Sequence, residues 1–157
     1  MRIRKARPRD LPVIARLIRE LARFERLEQE VTMTEDLLRR HLFGRPRYAE
    51  TLLAEDAGEA VGFALFFPNF STFLGRPGLY LEDLFVQPEH RGRGVGLALL
   101  KELGRIAVER GCGRLEWAVL NWNHDALRFY ERLGARPNSE WTTYRLTGEA
   151  LSRLADL

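Results

Sequence analysis

Residues 79–96 read LYLEDLFVQPEHRGRGVG. The first eight are apolar and β-prone except for Glu82 and Asp83, which is the make-up of a strand. Beyond the stretch, Leu97, Leu100, Leu103 and Ala107 recur at helical spacing until Gly111 and Gly113 stop them. Between strand and helix lies the turn Val86–Gly96, with Gly92, Gly94 and Gly96 interleaved with Arg91, Arg93 and Val95. Glycines let a backbone approach a ligand closely and take conformations closed to other residues. Their amides, together with the positive end of the following helix, make a concave site for phosphate. A helix-initiating turn that binds nothing fits the glycines equally well, and Arg91 and Arg93 favour the anion.

Spacing removes two nucleotide motifs. A nucleoside triphosphatase loop ends in Gly-Lys-Ser/Thr, whereas Gly96 is followed by Leu97 and Ala98. A dinucleotide-binding turn is spaced G-x-G-x-x-G near the start of a βαβ unit, whereas this one is G-x-G-x-G and lies past mid-chain.

Working outward, a basic first strand around Ile3 and Ala6 precedes a helix with Asp10 as its cap and Leu11, Ile14, Leu17, Ile18 and Leu21 as its apolar stripe, running to about Phe24. Thr34 caps a second short helix carrying Leu37, Leu38 and Leu42. TLLAED and AVGFALFF form a hairpin through Ala57-Gly58-Glu59, and Pro68–Gly78, with its two prolines and two glycines, is expected to be a loop. After the Gly/Arg turn and its helix come a strand over RLEWAVLNW, a helix over HDALRFYERLG capped by Asn123 or Asp125, and a last strand over WTTYRL. The order implies one α/β domain over residues 1–157, with a mixed sheet flanked by helices.

Composition bounds the rest. A chain of 157 residues, 45% hydrophobic and 30% charged, suits a single globular domain. The longest apolar run, Ala60–Phe67, is far short of the roughly 18 residues of a membrane span, and no apolar stretch follows the basic N-terminus, so a cytoplasmic address and no membrane partner are expected. The net charge of +3 mixes 25 basic with 22 acidic residues; a basic face for nucleic acid has little support, and a genome rich in Arg codons accounts for the arginines. Cys112 is alone, and His41, His90 and His124 lack ligand spacing, so neither a disulfide nor a metal site is expected.

Arg91-Gly92-Arg93-Gly94-Val95-Gly96 resembles the Arg/Gln-x-x-Gly-x-Gly/Ala signature of the GNAT superfamily of N-acetyltransferases, whose turn holds the pyrophosphate of acetyl-CoA. LIRELARFERLEQEV, LYLEDLFV, AVLNWN and RFYERLGA extend the likeness, in order and at similar spacing, to the diamine and thialysine acetyltransferase branch. The resemblance covers nearly the whole chain. It implies the GNAT fold, a mostly antiparallel twisted sheet flanked by helices, with acetyl-CoA as donor and a homodimer.

Acetyl transfer to an amine requires the ammonium, with a pKa near ~10, to lose a proton; it also requires donors for the oxygen that becomes charged and an acid for the departing thiolate. Glu82 and Asp83 interrupt an apolar strand, where carboxylates are costly unless paired or used. Taken alone, both could pair with arginines. Alternation sends them to opposite faces unless the strand bulges. By resemblance Glu82 is the base, acting through water, and Asp83 binds the cationic substrate. Tyr130, otherwise a core aromatic, takes the place of the family tyrosine that protonates the CoA thiolate. Asn123 is both a cap and a neighbour of CoA. The resemblance assigns CoA also to Leu84, Phe85, Val86, Leu97, Ala126 and Arg132, with Leu84–Val86 acting through backbone amides. The acceptor falls to Phe24, Glu25, Glu82, Asp83, Glu116, Trp117, Ala118 and Glu140, with Ser71 and Phe73 approaching it. Polyamine enzymes carry an acid where this chain has Ser71 and a tyrosine where it has Phe24, which favours a small aminoalkyl substrate of the thialysine or lysine-analogue kind. The segment Arg136–Trp141 is shorter than its counterpart. Two rivals are an acetyltransferase acting on a protein amino group and a non-catalytic nucleic-acid-binding module.

Overall fold

The computed structural model describes residues 1–157. Its elements are β1 (Arg2–Lys5), α1 (Leu11–Phe24), α2 (Glu35–Phe43), β2 (Glu50–Asp56), β3 (Glu59–Ser71), β4 (Arg76–Val86), α3 (Val95–Glu109), β5 (Leu115–Trp117), α4 (His124–Arg132) and α5 (Gly148–Ala155). The strands form one sheet in sequence order, antiparallel from β1 to β4 and parallel between β4 and β5. The mixed, mostly antiparallel α/β architecture expected from the sequence is present. The chain divides into two compact units, Met1–Ala118 and Val119–Leu157.

In the first unit, period-2 alternation places Leu53, Phe63, Leu65 and Phe85 on one face of the sheet, where they meet Ile14, Leu17 and Leu21 of α1 and Leu42 of α2 in a buried cluster. Leu99, Leu103 and Ile106 of α3 are buried as well, and α3 packs on β1 to β4. Thr34 caps α2 as expected, its Oγ1 accepting the Leu37 amide at 3.2 Å. Asp10 precedes α1 but does not cap it. Its carboxylate accepts Arg4 Nη1 and Nη2 at 2.8 and 2.9 Å and the Arg7 amide at 2.7 Å, tying β1 to the turn before the helix.

Three expectations change. Pro68–Gly78 is not a loop: Pro68 pairs with Leu79, Asn69 with Gly78, Phe70 with Pro77 and Ser71 with Arg76, leaving a tight turn at residues 72–75. Pairing of β2 with β3 ends at Glu50 and Phe66, so Pro68 lies where β3 has a partner on one side only, and there a missing N–H is tolerated. The strand over residues 114–122 is confined to Leu115–Trp117, because turn bonds from the Asn123 amide to Leu120 and from the His124 amide to Trp122 curl the chain. No strand forms over residues 141–146, and α5, which the sequence reading missed, follows.

The second unit is built on α4 and α5 and contains no buried residue. Trp141 and Tyr144 are 75% and 93% exposed.

Candidate active site

β4 ends at Val86, and the Gln87 amide donates to Val61 O at 2.9 Å, fixing the exit from the sheet. A single turn over Pro88–His90 follows; then Gly92 and Gly94 take φ of 72° and 80°, the left-handed region that favours glycine. Gly94 is the N-cap of α3, whose first bond runs from the Ala98 amide to Gly94 O at 2.9 Å. The amides of Val95, Gly96 and Leu97 are therefore donors that no helical carbonyl reaches, at the positive end of a 15-residue helix. A Cβ on Gly92 or Gly94 would meet nothing within 4 Å, so the turn opens on free space. These donors fit a pyrophosphate.

The two arginines of the turn point elsewhere. Arg91 Nε donates to Val86 O at 2.8 Å, and its guanidinium lies 4.4 Å from the centre of the Phe24 ring and 5.5 Å from that of Phe85. Arg93 lies 3.6 Å from Asp56 Oδ2 and 3.4 Å from His90 Nδ1. Both brace the turn, Arg91 through the Val86 carbonyl and Arg93 beside Asp56.

Upstream on β4 the ladder slips. Leu65 pairs with Asp83 and Phe66 with Leu81, so Glu82 is the extra residue of a β-bulge. The sequence reading allowed the two carboxylates to share a face only if the strand bulged, and it does. Asp83, half-buried, has its pKa raised to about 7 by desolvation, then by the charges of Glu82 and Glu25. Glu25 ends α1, and burial raises its pKa too. None of Glu25, Glu82 and Asp83 forms an ion pair, although the chain has 25 basic residues. The alternative that arginines neutralise Glu82 and Asp83 is set aside.

Toward the β3–β4 turn, Tyr80 stacks at 5.3 Å on Phe67 and pairs in register with Glu116 of β5. Burial raises the Tyr80 pKa, with Glu82 and Glu116 adding to it. Glu116 accepts from Asn69 Nδ2 at 3.4 Å and lies 3.2 Å from Arg114 Nε. Tyr80 and Phe67 were missed in the sequence, where Tyr80, two residues before Glu82, looks like one more core aromatic. Trp117 is half-buried and Ala118 exposed. Ser71 is buried with its Oγ accepting the Leu74 amide at 3.2 Å, a turn-closing role, and Phe73 beside it is 99% exposed.

The remaining predicted residues belong to the second unit. Asn123 Oδ1 caps α4 by accepting the Ala126 amide at 3.3 Å. Tyr130 is half-buried on α4 with Phe129 5.6 Å away, Ala126 is half-buried, and Arg132 and Glu140 are exposed.

A family model described as Acetyltransferase (GNAT) family matches residues 14–135. The chain belongs to the GNAT acetyltransferase family. As a GNAT member it is an acetyl-CoA-dependent N-acetyltransferase. It is 40% identical over 164 residues to a thialysine N-epsilon-acetyltransferase of Bos taurus, covering 98% of this chain and 96% of the relative. It is 35% identical over 201 residues to an L-ornithine N5-acetyltransferase of Arabidopsis thaliana, covering 99% and 88%. An integron cassette protein from the mobile metagenome of V. cholerae superposes with a TM-score of 0.83 at 29% identity, covering 99% of this chain and 98% of that one. The GNAT fold and the diamine/thialysine branch expected from the motifs are thereby established.

Proposed function

We propose that this GNAT enzyme moves the acetyl group of acetyl-CoA to the primary amine of a small aminoalkyl substrate of the thialysine, lysine-analogue or ornithine kind, by direct attack. The observation that carries the acceptor class is the trio Glu25, at the end of α1, and Glu82 and Asp83, on the strand that leads into the Gly92–Gly96 turn, unpaired with any basic residue. Uncompensated carboxylates attract an ammonium group, and their spread along β4 and the end of α1 suits a short carbon chain better than a protein surface.

Acetyl-CoA supplies the activated acetyl group. In this reading the amides of Val95 to Leu97 hold its pyrophosphate, and those of Leu84 to Val86 face the arm and the carbonyl oxygen. Phe24, Glu25, Asp83, Glu116, Trp117, Ala118 and Glu140 line the acceptor side, and a β4 carboxylate removes the ammonium proton. Asn123, Ala126 and Arg132 border CoA, and Tyr130 gives a proton to the departing sulfur. Residues 1–157 act as one acetyltransferase domain, a reading supported by a family match that runs from the first compact unit into the second, over residues 14–135. We assign the working form as a cytoplasmic homodimer; the exposed Trp141, Tyr144 and Leu146 are the kind of apolar surface a second copy covers. No helix is long and apolar enough to cross a membrane, and the reading includes neither a membrane nor a nucleic-acid partner.

The test is release of free thiol from acetyl-CoA across a panel of thialysine, lysine, ornithine, polyamines and peptides. Turnover concentrated on the short amines supports the proposal. Salt-sensitive DNA binding without thiol release defeats it. Tyr130→Phe is expected to lower kcat about 100-fold while acetyl-CoA binding, by calorimetry, stays within about twofold.

A further inference from the structure

The hairpin of β2 and β3 outruns the strand beside it. β4 ends at the pair Val86–Gly62, whereas β2 and β3 stay paired out to Asp56 and Glu59. Ala57 and Gly58, the two residues between, both have positive φ, 51° and 81°, the pattern of a type I′ hairpin turn. That turn fixes Asp56 at the tip. With the Gln87 amide bonded to Val61 O, the tip lies alongside the chain leaving β4, and the Gly/Arg turn meets it through side chains. Arg93 Nη2 stands 3.6 Å from Asp56 Oδ2, His90 Nδ1 stands 3.9 Å from the same oxygen, and Arg93 Nη1 is 3.4 Å from His90 Nδ1. The neighbouring Glu55 is taken by Arg4 at 2.7 Å.

At 3.6 Å the Arg93–Asp56 contact is an ion pair without a hydrogen bond, and the Arg93 side chain is 59% exposed. Such a pair is worth little and is readily exchanged. Arg93 also comes just before Gly94, the N-cap of α3, and two residues, or ~7 Å of chain, before the open amide of Val95. An arginine side chain is long enough to cover that distance. Resting on the reading of the Val95–Leu97 amides as the seat of the CoA pyrophosphate, we propose that Asp56 competes with this pyrophosphate for Arg93. In the free enzyme Asp56 holds the guanidinium at the hairpin tip. A pyrophosphate on the amides carries a charge on each phosphoryl group and accepts charge-assisted, bidentate bonds, so Arg93 leaves Asp56 for it. Asp56 is a positioning residue: it touches neither donor nor acceptor, and the cost of giving up Arg93 is subtracted from the affinity. CoA keeps its pyrophosphate once the acetyl group has gone. The competition therefore loosens product as well as donor and speeds product release.

The experiment is a double-mutant cycle on Asp56 and Arg93, read as calorimetric Kd for acetyl-CoA and CoA, with CoA dissociation followed by stopped flow. Asp56→Asn removes the charge and keeps a side chain suited to a turn. It is expected to tighten both ligands about fivefold, through slower CoA dissociation. KM for acetyl-pantetheine, which has no pyrophosphate, should stay within about 1.5-fold. Arg93→Ala is expected to weaken both CoA ligands about fivefold, and in its background Asp56→Asn should gain less than about twofold. Asp56→Glu restores the charge and should bind as the wild type does. Unchanged or weaker CoA binding in Asp56→Asn overturns the proposal. So does a gain as large without Arg93 as with it, since Asp56 would then repel the ligand directly, and so does equal tightening of acetyl-pantetheine. If Gly94→Val binds CoA as the wild type does, the pyrophosphate reading falls and the proposal with it. The cycle reads binding alone, so a protein that meets these expectations yet releases no thiol with any amine overturns the acceptor reading and leaves the role of Asp56 standing.

Discussion

The turn at Arg91–Gly96 and the carboxylates at Glu25, Glu82 and Asp83 are served by one strand, β4, but they are made in different ways. The turn is a local construction: two glycines at positive φ and a helix start present amides to open space, and the arginine side chains brace it from behind. The carboxylate end is a long-range construction. Asp83 has its character because β3 sets the bulge and α1 delivers Glu25 from 58 positions earlier in the chain, by the numbering. A backbone site recognises what every CoA ester shares. A cluster of side chains brought together from distant segments can be tuned to one amine, so on the proposed function donor and acceptor specificity are separable.

The sharpest way to break that contrast is a stability measurement. The folded-state pKa of Asp83, about 7, lies above the unfolded value near ~3.9, so between those limits the native state holds a proton that the unfolded chain releases. Stability therefore falls as pH rises through that window, and the deficit is complete by about pH 8, on the order of 4 kcal/mol. Asp83→Asn should unfold at higher denaturant than the wild type at about pH 8 and alike at about pH 4. Equal stability at both pH values would mean that the carboxylate end is not strained by burial, and the contrast with the turn would fail.

The next effect lies at the other end. Gly94→Val forces a β-branched residue into φ near 80°, costing about 1–2 kcal/mol with no steric neighbour to blame. Acetyl-CoA binding, followed by calorimetry, should weaken about tenfold, while the pH dependence of stability that Asp83 carries stays in place. A shifted pH dependence would show the two ends to be coupled.

The smallest effect tests the link between them. Arg91 braces the turn by a hydrogen bond from its Nε to the Val86 carbonyl and reaches Phe24, beside Glu25, through a cation–π contact. Arg91→Lys keeps the charge and loses the planar stack, so a thermal-unfolding loss of about 1 kcal/mol is expected, with KM for the amine rising more than KM for acetyl-CoA.

Much of this was legible in the residues themselves. The helices at Leu11–Phe24, Glu35–Phe43 and Val95–Glu109 announce themselves through apolar spacing, and the β2–β3 hairpin through Ala57-Gly58. Pro68–Gly78 misled because proline and glycine mark loops locally, whereas here Pro68, Pro77 and Gly78 sit on paired strand positions and only Gly75 lies in the turn. WTTYRL has strand composition but no partner in the chain's own sheet, and α5 shows too few apolar positions to declare a period. At the site, Glu82 and Asp83 stood out as carboxylates in an apolar strand, but alternation alone put them on opposite faces.

By itself the sequence determined what adjacent residues can settle: the order of strands and helices from β1 to α4 and the glycine turn at Gly92–Gly96, because backbone preference and capping act within a few residues. The tertiary structure alone decided which carboxylate is buried, which arginines are occupied and that Tyr80 joins Glu82 and Glu116, because desolvation and charge coupling depend on which distant segments fold against each other.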